Sequence, residues 1–281
     1  MLDTMPDPKR LSLNQYTTFN WTAKEAIEGC AKAGIDWICL WRDKVAAQGL
    51  AETKSALDAT GVRVSSLCRG GFFPADSQAK RLAAIEDNQR AVDECLALGT
   101  DQLVLVCGGI HADKDIDGAR QMVFDGIAAL IPYAQERNVK LGIEPLHPMY
   151  AADRNVVVTL AQANDFALEL NHTFQQYETP VGVVIDTFHV WWDPQVYREI
   201  QRAAGHIFGL HICDWITPLP DTLKGRGMMG DGHIEIKRLR KAVEAAGYSG
   251  PIECEIFNQD IWDAPGEETL ETMKARYLEL C

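Results

Sequence analysis

The sequence contains no apolar run long enough to cross a bilayer, and its opening residues, MLDTMPDPKR, lack the basic-then-apolar order of a signal peptide. Membrane insertion and secretion are not expected, and the cytoplasm is the expected compartment. Basic runs are absent as well. Lys and Arg total 27 against 40 Asp and Glu, a formal net charge of -13 that repels a phosphate backbone, so no nucleic-acid partner is expected. None of the eight cysteines stands in C-x-x-C spacing. Cys30, Cys39, Cys68, Cys95, Cys107, Cys213 and Cys254 are scattered through helical and strand-like segments and read as small buried apolar residues, with the terminal Cys281 set apart from that reading. No Ser-, Pro- or Gly-rich linker and no shift in composition divides the chain, so residues 1–281 are expected to form a single domain.

What the sequence does contain is a regular alternation of short strand-like runs with longer stretches of helical periodicity. Eight strand-then-helix units fill the chain, with strands in LSLNQY from Leu11, DWICLW from Asp36, RVSSLC from Arg63 and QLVLVC from Gln102. The other four are VKLGIEP from Val139, VGVVID from Val181, IFGLHIC from Ile207 and PIECEIF from Pro251. The stretch TAKEAIEGCAKAG predicts a helix opened by a capping box of Thr22 and Glu25 and closed at Gly34. Eight such units describe an α/β fold, a (β/α)8 or TIM barrel. GRGMMGDGH, from Gly225 to His233, matches the dinucleotide fingerprint G-x-G-x-x-G. That fingerprint has meaning only between a first strand and the helix it feeds. Here it follows the seventh strand after the long loop DWITPLPDTLK, and the first strand runs into QYTTFNWTAKE without a glycine, so the dinucleotide reading fails.

In a barrel the active site lies where strands end, which brings residues distant in sequence together. Strands five to eight end in Glu144 of IEPLH, Asp186 of IDTFH, His211 and Asp214 of HICD, and Glu255 of ECEIF. Oxygen donors plus one imidazole suit a divalent cation, with Mn²⁺ expected first and Mg²⁺, Co²⁺ or Zn²⁺ also suited; a cation relieves the repulsion among converging carboxylates. The expected ligands are Glu144, Asp186, His211 and Glu255. Glu253 shares the face of Glu255 and is read as lying one layer deeper, in a structural hydrogen-bonded role. Trp41, Trp191, Trp192, Trp215, Trp262, Phe72 and Phe73 fall at or after strand ends, where rings pack against carbohydrate faces or form an oligomer interface. Trp192, Trp41 and Phe73 are assigned to the pocket. Arg42 and Arg69 are read as surface salt-bridge partners, with carboxylate or phosphate binding as the other reading.

These strand ends resemble the xylose isomerase-like barrel superfamily, which includes ketose 3-epimerases, hydroxypyruvate isomerases, inosose and dehydroshikimate dehydratases, and the endonuclease IV group. DTFH, the His-x-x-Asp of HICD and G-x-GHI are the most specific parts, and the resemblance covers nearly the whole chain. It implies the same four ligands, a substrate-contacting imidazole at His189 and a substrate-binding guanidinium at Arg226, presented by the glycine-rich segment that leads through Asp231 and His233 into the next helix. It also implies homo-oligomers. The endonuclease group's histidines after strands three and four are not evident, since those strands end in CRGG and CGG and His111 lies further on, so DNA repair is not expected.

The implied activity is a metal-dependent isomerase or epimerase of a sugar or keto sugar, working by proton abstraction next to a carbonyl through a metal-stabilised enediolate. Glu144 and Glu255 are the acid–base pair expected on opposite faces of the substrate. The loop PLHPMYAADR adds His147 and Arg154; with His147 as a further acid or base, elimination competes. Some members of this superfamily cleave C-glycosides of 3-oxo-sugars as large subunits paired with a smaller chain, which makes a dehydratase or deglycosidase the alternative, and a non-catalytic binding barrel a further one.

Overall fold

The computed structural model describes residues 5–111 and 113–281. Eight parallel strands close into a barrel: β1 (Leu11–Asn14), β2 (Trp37–Trp41), β3 (Arg63–Gly71), β4 (Gln102–Val106), β5 (Lys140–Ile143), β6 (Val181–Asp186), β7 (Ile207–Ile212) and β8 (Ile252–Cys254). Each pairs with its neighbours in sequence, and β1 pairs with β8 from Leu11↔Ile252 to Leu13↔Cys254 to close the ring.

The alternation of strand residues explains both the core and the site. Leu11 and Leu13, Ile38 and Leu40, Leu103 and Leu105, Leu141 and Ile143, Leu210 and Ile212 are buried in one apolar cluster with helix residues such as Ile27, Val92, Ile127 and Leu160. They form the layer between strands and helices. The intervening positions face the barrel axis and include Cys39, Val104 and Val184, which cluster separately with Trp41, Cys68, Phe257 and Trp262. Glu144, Asp186, His211, Glu253 and Glu255 all fall on this inward parity.

Helices begin and end where side chains satisfy their free backbone groups. Thr22, Ser77, Asp115 and Thr159 each accept a backbone N–H from the first turn, and Thr22 with Glu25 completes the expected capping box. Gly34 ends that helix in the left-handed conformation. Several strand boundaries differ from expectation. β1 stops at Asn14, whose side chain accepts the Tyr16 N–H and opens a 3-10 turn over Gln15–Thr18. β3 runs on to Gly71, because a register shift lets Gly70 and Gly71 pair with Leu105 and Val106. β8 ends at Cys254.

At the carboxyl ends, the loops are tied to one another. Phe72 and Phe73 donate to Val106 and Cys107 carbonyls at 2.9 and 3.0 Å, and Gly108 donates to the Arg154 carbonyl at 2.9 Å. After β7, Asp214–Trp215 forms a small antiparallel ribbon with Arg226–Gly227. All eight cysteines are buried and unpaired, Cys281 included, which corrects its separation from the others. Among the described residues no helix is long and apolar enough to cross a membrane.

Candidate functional site

Four strand ends bring Glu144, Asp186, His211 and Glu255 to one point on the barrel axis, where one ligand atom from each lies within 4.8 Å of the others. All four are buried, and the strand register sets Asp186 opposite His211 and His211 opposite Glu253. His211 Nδ1 lies 3.0 Å from Glu144 Oε1 and 3.4 Å from Glu255 Oε2. Asp186 Oδ1 caps the turn that follows by accepting the Phe188 N–H at 2.8 Å, leaving Oδ2 for the centre.

His211 Nε2, on the other edge of the ring, lies 3.0 Å from Glu253 Oε2. The second Glu253 oxygen accepts the Ser65 and Ser66 hydroxyls, each at 2.8 Å. Glu253 therefore occupies the deeper layer, hydrogen-bonded as its parity suggested.

Arg226 enters the same centre. Its Nη1 donates to Asp186 Oδ2 at 2.6 Å and to Glu255 Oε2 at 3.1 Å. Electrostatics divide the acids accordingly. Burial, reinforced by the Glu255 and Glu144 charges and only partly opposed by Arg226, pushes Asp186 up to about 7. Burial also raises Glu144, whereas Glu255 is held low because Arg226 and His211 outweigh its burial. Glu253 and Glu144 raise His211 well above the ordinary imidazole range against the effect of burial.

The donor set fits a divalent cation. Glu144 Oε1 and His211 Nδ1 are buried without a hydrogen-bond partner, in a group of three carboxylates and one imidazole. A hard or borderline ion satisfies such a set; a soft one that prefers thiolate does not.

His189 borders this group. Its Nδ1 receives the His147 N–H at 3.1 Å and its Nε2 lies 3.1 Å from Arg226 Nη2. Burial and the Arg226 charge hold the ring well below its ordinary pKa, so it is neutral. Both neighbours can only donate, so a neutral ring accepts from one and turns its own N–H toward the other. One donor at this point lacks an acceptor, which a ligand oxygen can supply.

Two aromatic walls flank the centre. On one side Tyr16 stacks on Trp41 at 3.7 Å and meets Phe257 at 5.2 Å, while Phe19 stacks on Trp262 at 4.5 Å. On the other, Phe188 stacks on Trp215 at 4.5 Å, and the His147 ring lies 5.5 Å from Trp192 and 5.2 Å from Trp215. The Arg226 guanidinium sits between them, 4.7 Å from the Phe188 ring and 5.2 Å from Phe257. Trp192 Nε1 donates to the His189 carbonyl at 2.8 Å.

One residue assigned to the pocket lies elsewhere, and two nearby polar residues serve the loops. Phe73, assigned to the pocket for its place after the third strand, is buried against Gly126 in the layer between strands and helices, and its exposed neighbour Phe72 borders the mouth. Asp214 is not among the converging donors. Its carboxylate accepts the N–H groups of Trp215, Gly230 and Ile234 and so pins the glycine-rich segment. His233 contacts Thr217 Oγ1 at 2.8 Å, away from the centre. Gly232 packs where a Cβ would stand 2.0 Å from the Trp215 carbonyl oxygen, and Gly230 has φ +94°, so both glycines serve loop geometry. A larger groove of about 800 Å³ runs between Tyr197 and Leu280, and none of the four donors lines it.

The family model described as "Xylose isomerase-like TIM barrel" matches residues 27–277. The chain belongs to this family. A solved structure, protein SMc04130 from Sinorhizobium meliloti 1021, is 48% identical over 98% of this chain and 99% of its own, with a TM-score of 0.93. A 3-dehydroshikimate dehydratase from Pseudomonas putida is 25% identical over 87% of this chain, which spans only 37% of that longer protein. An L-ribulose-5-phosphate 3-epimerase from Escherichia coli K12 is 25% identical over 79% of this chain and 75% of its own length. The family relatives thus include enzymes of both epimerase and dehydratase type, and the chain shares with them the fold that carries its buried acidic and imidazole group.

Proposed function

We propose that the protein is a divalent-metal-dependent isomerase or epimerase of a sugar or keto sugar. The observation that carries this reading is the meeting of two carboxylates, Glu144 and Glu255, from non-adjacent strands at one imidazole nitrogen, with Asp186 alongside. Glu144, Asp186, His211 and Glu255 would hold the cation, with manganese the first ion to test. When bound, that cation supplies Lewis-acid polarisation of a carbonyl and its neighbouring hydroxyl.

The residues of the chain divide the remaining work. Glu144 and Glu255 approach a substrate carbon from different sides of the mouth, one removing the proton and the other returning one. His189 meets a substrate oxygen and resolves its donor conflict. Arg226, which donates to Asp186 and Glu255 in this structure, would be free to meet substrate oxygen where a cation is held by those acids. The aromatic walls, with Trp41 in one and Trp192 in the other, pack against the apolar faces of the sugar and exclude water.

Elimination is the second reading, favoured by His147. Its Nδ1 receives the Met149 N–H at 3.2 Å, so the neutral ring carries its proton on Nε2, among Trp192 and Trp215. A donor there can protonate a departing oxygen, as a dehydratase or deglycosidase requires.

The test is a screen of metal-loaded protein over ketoses, inososes and 3-oxo-glycosides in D₂O. Epimers labelled at carbon indicate proton return, whereas an unsaturated product or released aglycone indicates elimination. Glu255→Gln abolishes deuterium incorporation on this reading; wild-type incorporation in that variant refutes the assignment.

A further inference from the structure

The ribbon that delivers Arg226 is the base of a hairpin whose tip, residues 217–224, reaches over the mouth of the barrel. The base is firmly tied. Asp214–Trp215 pairs with Arg226–Gly227, Ile216 donates to the Gly225 carbonyl at 3.2 Å, and Asn258 Nδ2 donates to the Arg226 carbonyl at 2.8 Å. The tip is folded on itself. Asp221 accepts the N–H groups of Leu223 and Lys224 at 2.7 and 2.6 Å, and the Leu219 side chain packs on Gly225.

Side chains hold this tip down on both sides of the mouth. On one side the Tyr150 hydroxyl donates to the Thr222 carbonyl, with the Tyr150 ring 5.7 Å from that of His189. On the other, Lys224 Nζ donates to Gln259 Oε1 at 2.7 Å and lies 5.5 Å from the Trp262 ring. Between them the partly buried Leu223 packs on the axial cluster that includes Trp41, Cys68, Phe257 and Trp262. Phe257 in turn lies 5.2 Å from the Arg226 guanidinium, which pairs with Asp186 and Glu255. Residues 222–224 thus bridge the two walls that flank the centre.

A segment whose own turn is satisfied internally, and which a few side chains hold to the body, opens at far lower free energy than the barrel beneath it. An apolar side chain seated in the mouth keeps water from the acids, as closing loops do in enzymes. We propose that residues 217–224 form a lid, latched by Tyr150 and seated by Leu223, which an ion or substrate must lift to reach Glu144, Asp186, His211 and Glu255. Leu223 and Tyr150 are positioning residues in this scheme. The lid stands on these contacts; that a metal-dependent active site lies beneath it rests on the proposed function.

Mn²⁺ uptake by the full chain, and its release to excess chelator, are followed by stopped flow, because a gate changes both rates equally and leaves their ratio alone. Two variants are compared with the unaltered chain: Tyr150→Phe, which keeps the ring beside His189, and Leu223→Ala. Both rates are expected to rise roughly 5-fold or more, about the worth of one neutral hydrogen bond, with affinity unchanged. Unchanged rates in both variants, or faster release without faster uptake, overturn the proposal. Trypsin cleavage after Lys224 needs the tip to leave Trp262 and Gln259, and on metal-free chain it should quicken by a similar factor. If the unaltered chain takes up no Mn²⁺, the metal reading falls and cleavage alone judges the lid: faster cutting in the variants supports it, and unchanged cutting overturns it. Should Leu223→Ala fail to fold, Tyr150→Phe decides.

Discussion

Glu253 Oε2 lies 3.0 Å from His211 Nε2, on the edge of the ring turned away from the other acids. This ion-pair contact lies behind the ring, whose Nδ1 faces the centre. A carboxylate behind a ligating imidazole typically contributes 10- to 100-fold to metal affinity by fixing tautomer and orientation. Glu253→Gln is therefore expected to weaken Mn²⁺ binding by about 10- to 100-fold with little change in secondary structure. Competition titration against a chelating dye measures it, and unaltered affinity would assign Glu253 to the Ser65 and Ser66 hydroxyls alone.

Arg226 neutralises Asp186 and Glu255 when no cation does. Removing one partner of a buried ion pair costs about 3–5 kcal/mol. Arg226→Ala should thus lower the melting temperature of chelator-treated protein, and Mn²⁺ should restore much of the loss. Equal losses with and without the ion would show that Arg226 does not share the carboxylates with it.

Burial lowers the His147 pKa below its ordinary 6.5. The folded chain then holds this ring neutral where the unfolded chain begins to take up a proton, so the stability it contributes is present above pH 6.5 and is lost as pH falls through the folded value. Nitrogen-detected NMR of the histidine rings should show His147 neutral at pH 6.5 with Nδ1 unprotonated. A charged ring at that pH would remove it as a neutral donor.

Gly232→Ala would set a Cβ against the Trp215 carbonyl oxygen, which belongs to backbone and cannot swing aside. The ribbon carrying Arg226 must shift, at a cost of roughly 1–3 kcal/mol. Limited proteolysis should show faster cleavage between residues 216 and 225 than in the unaltered chain.

Much of this architecture was legible in the sequence because strand residues alternate. Once ICL, LVLV and GLHI are set in register, Glu144, Asp186, His211 and Glu255 share the axial face without further information. Alternation also placed Glu253 below Glu255. It does not reach past the strand ends: Phe73, assigned to the pocket for its place after β3, packs on Gly126 in the outer layer. The role of Asp214 was hidden for another reason: its partners are backbone N–H groups of Gly230 and Ile234, which carry no side-chain signal. The ion pairs of Arg226, and the absence among the described residues of the salt bridge expected for Arg69, depend on loop paths, and no periodicity encodes those.

The four donors ride on separate staves, each positioned only through its neighbours' register. None of them can find the others in a chain whose cylinder is still open. Uptake of a cation would therefore report completed closure, and a tightly held ion would act as a latch, adding its binding free energy to the closed form alone.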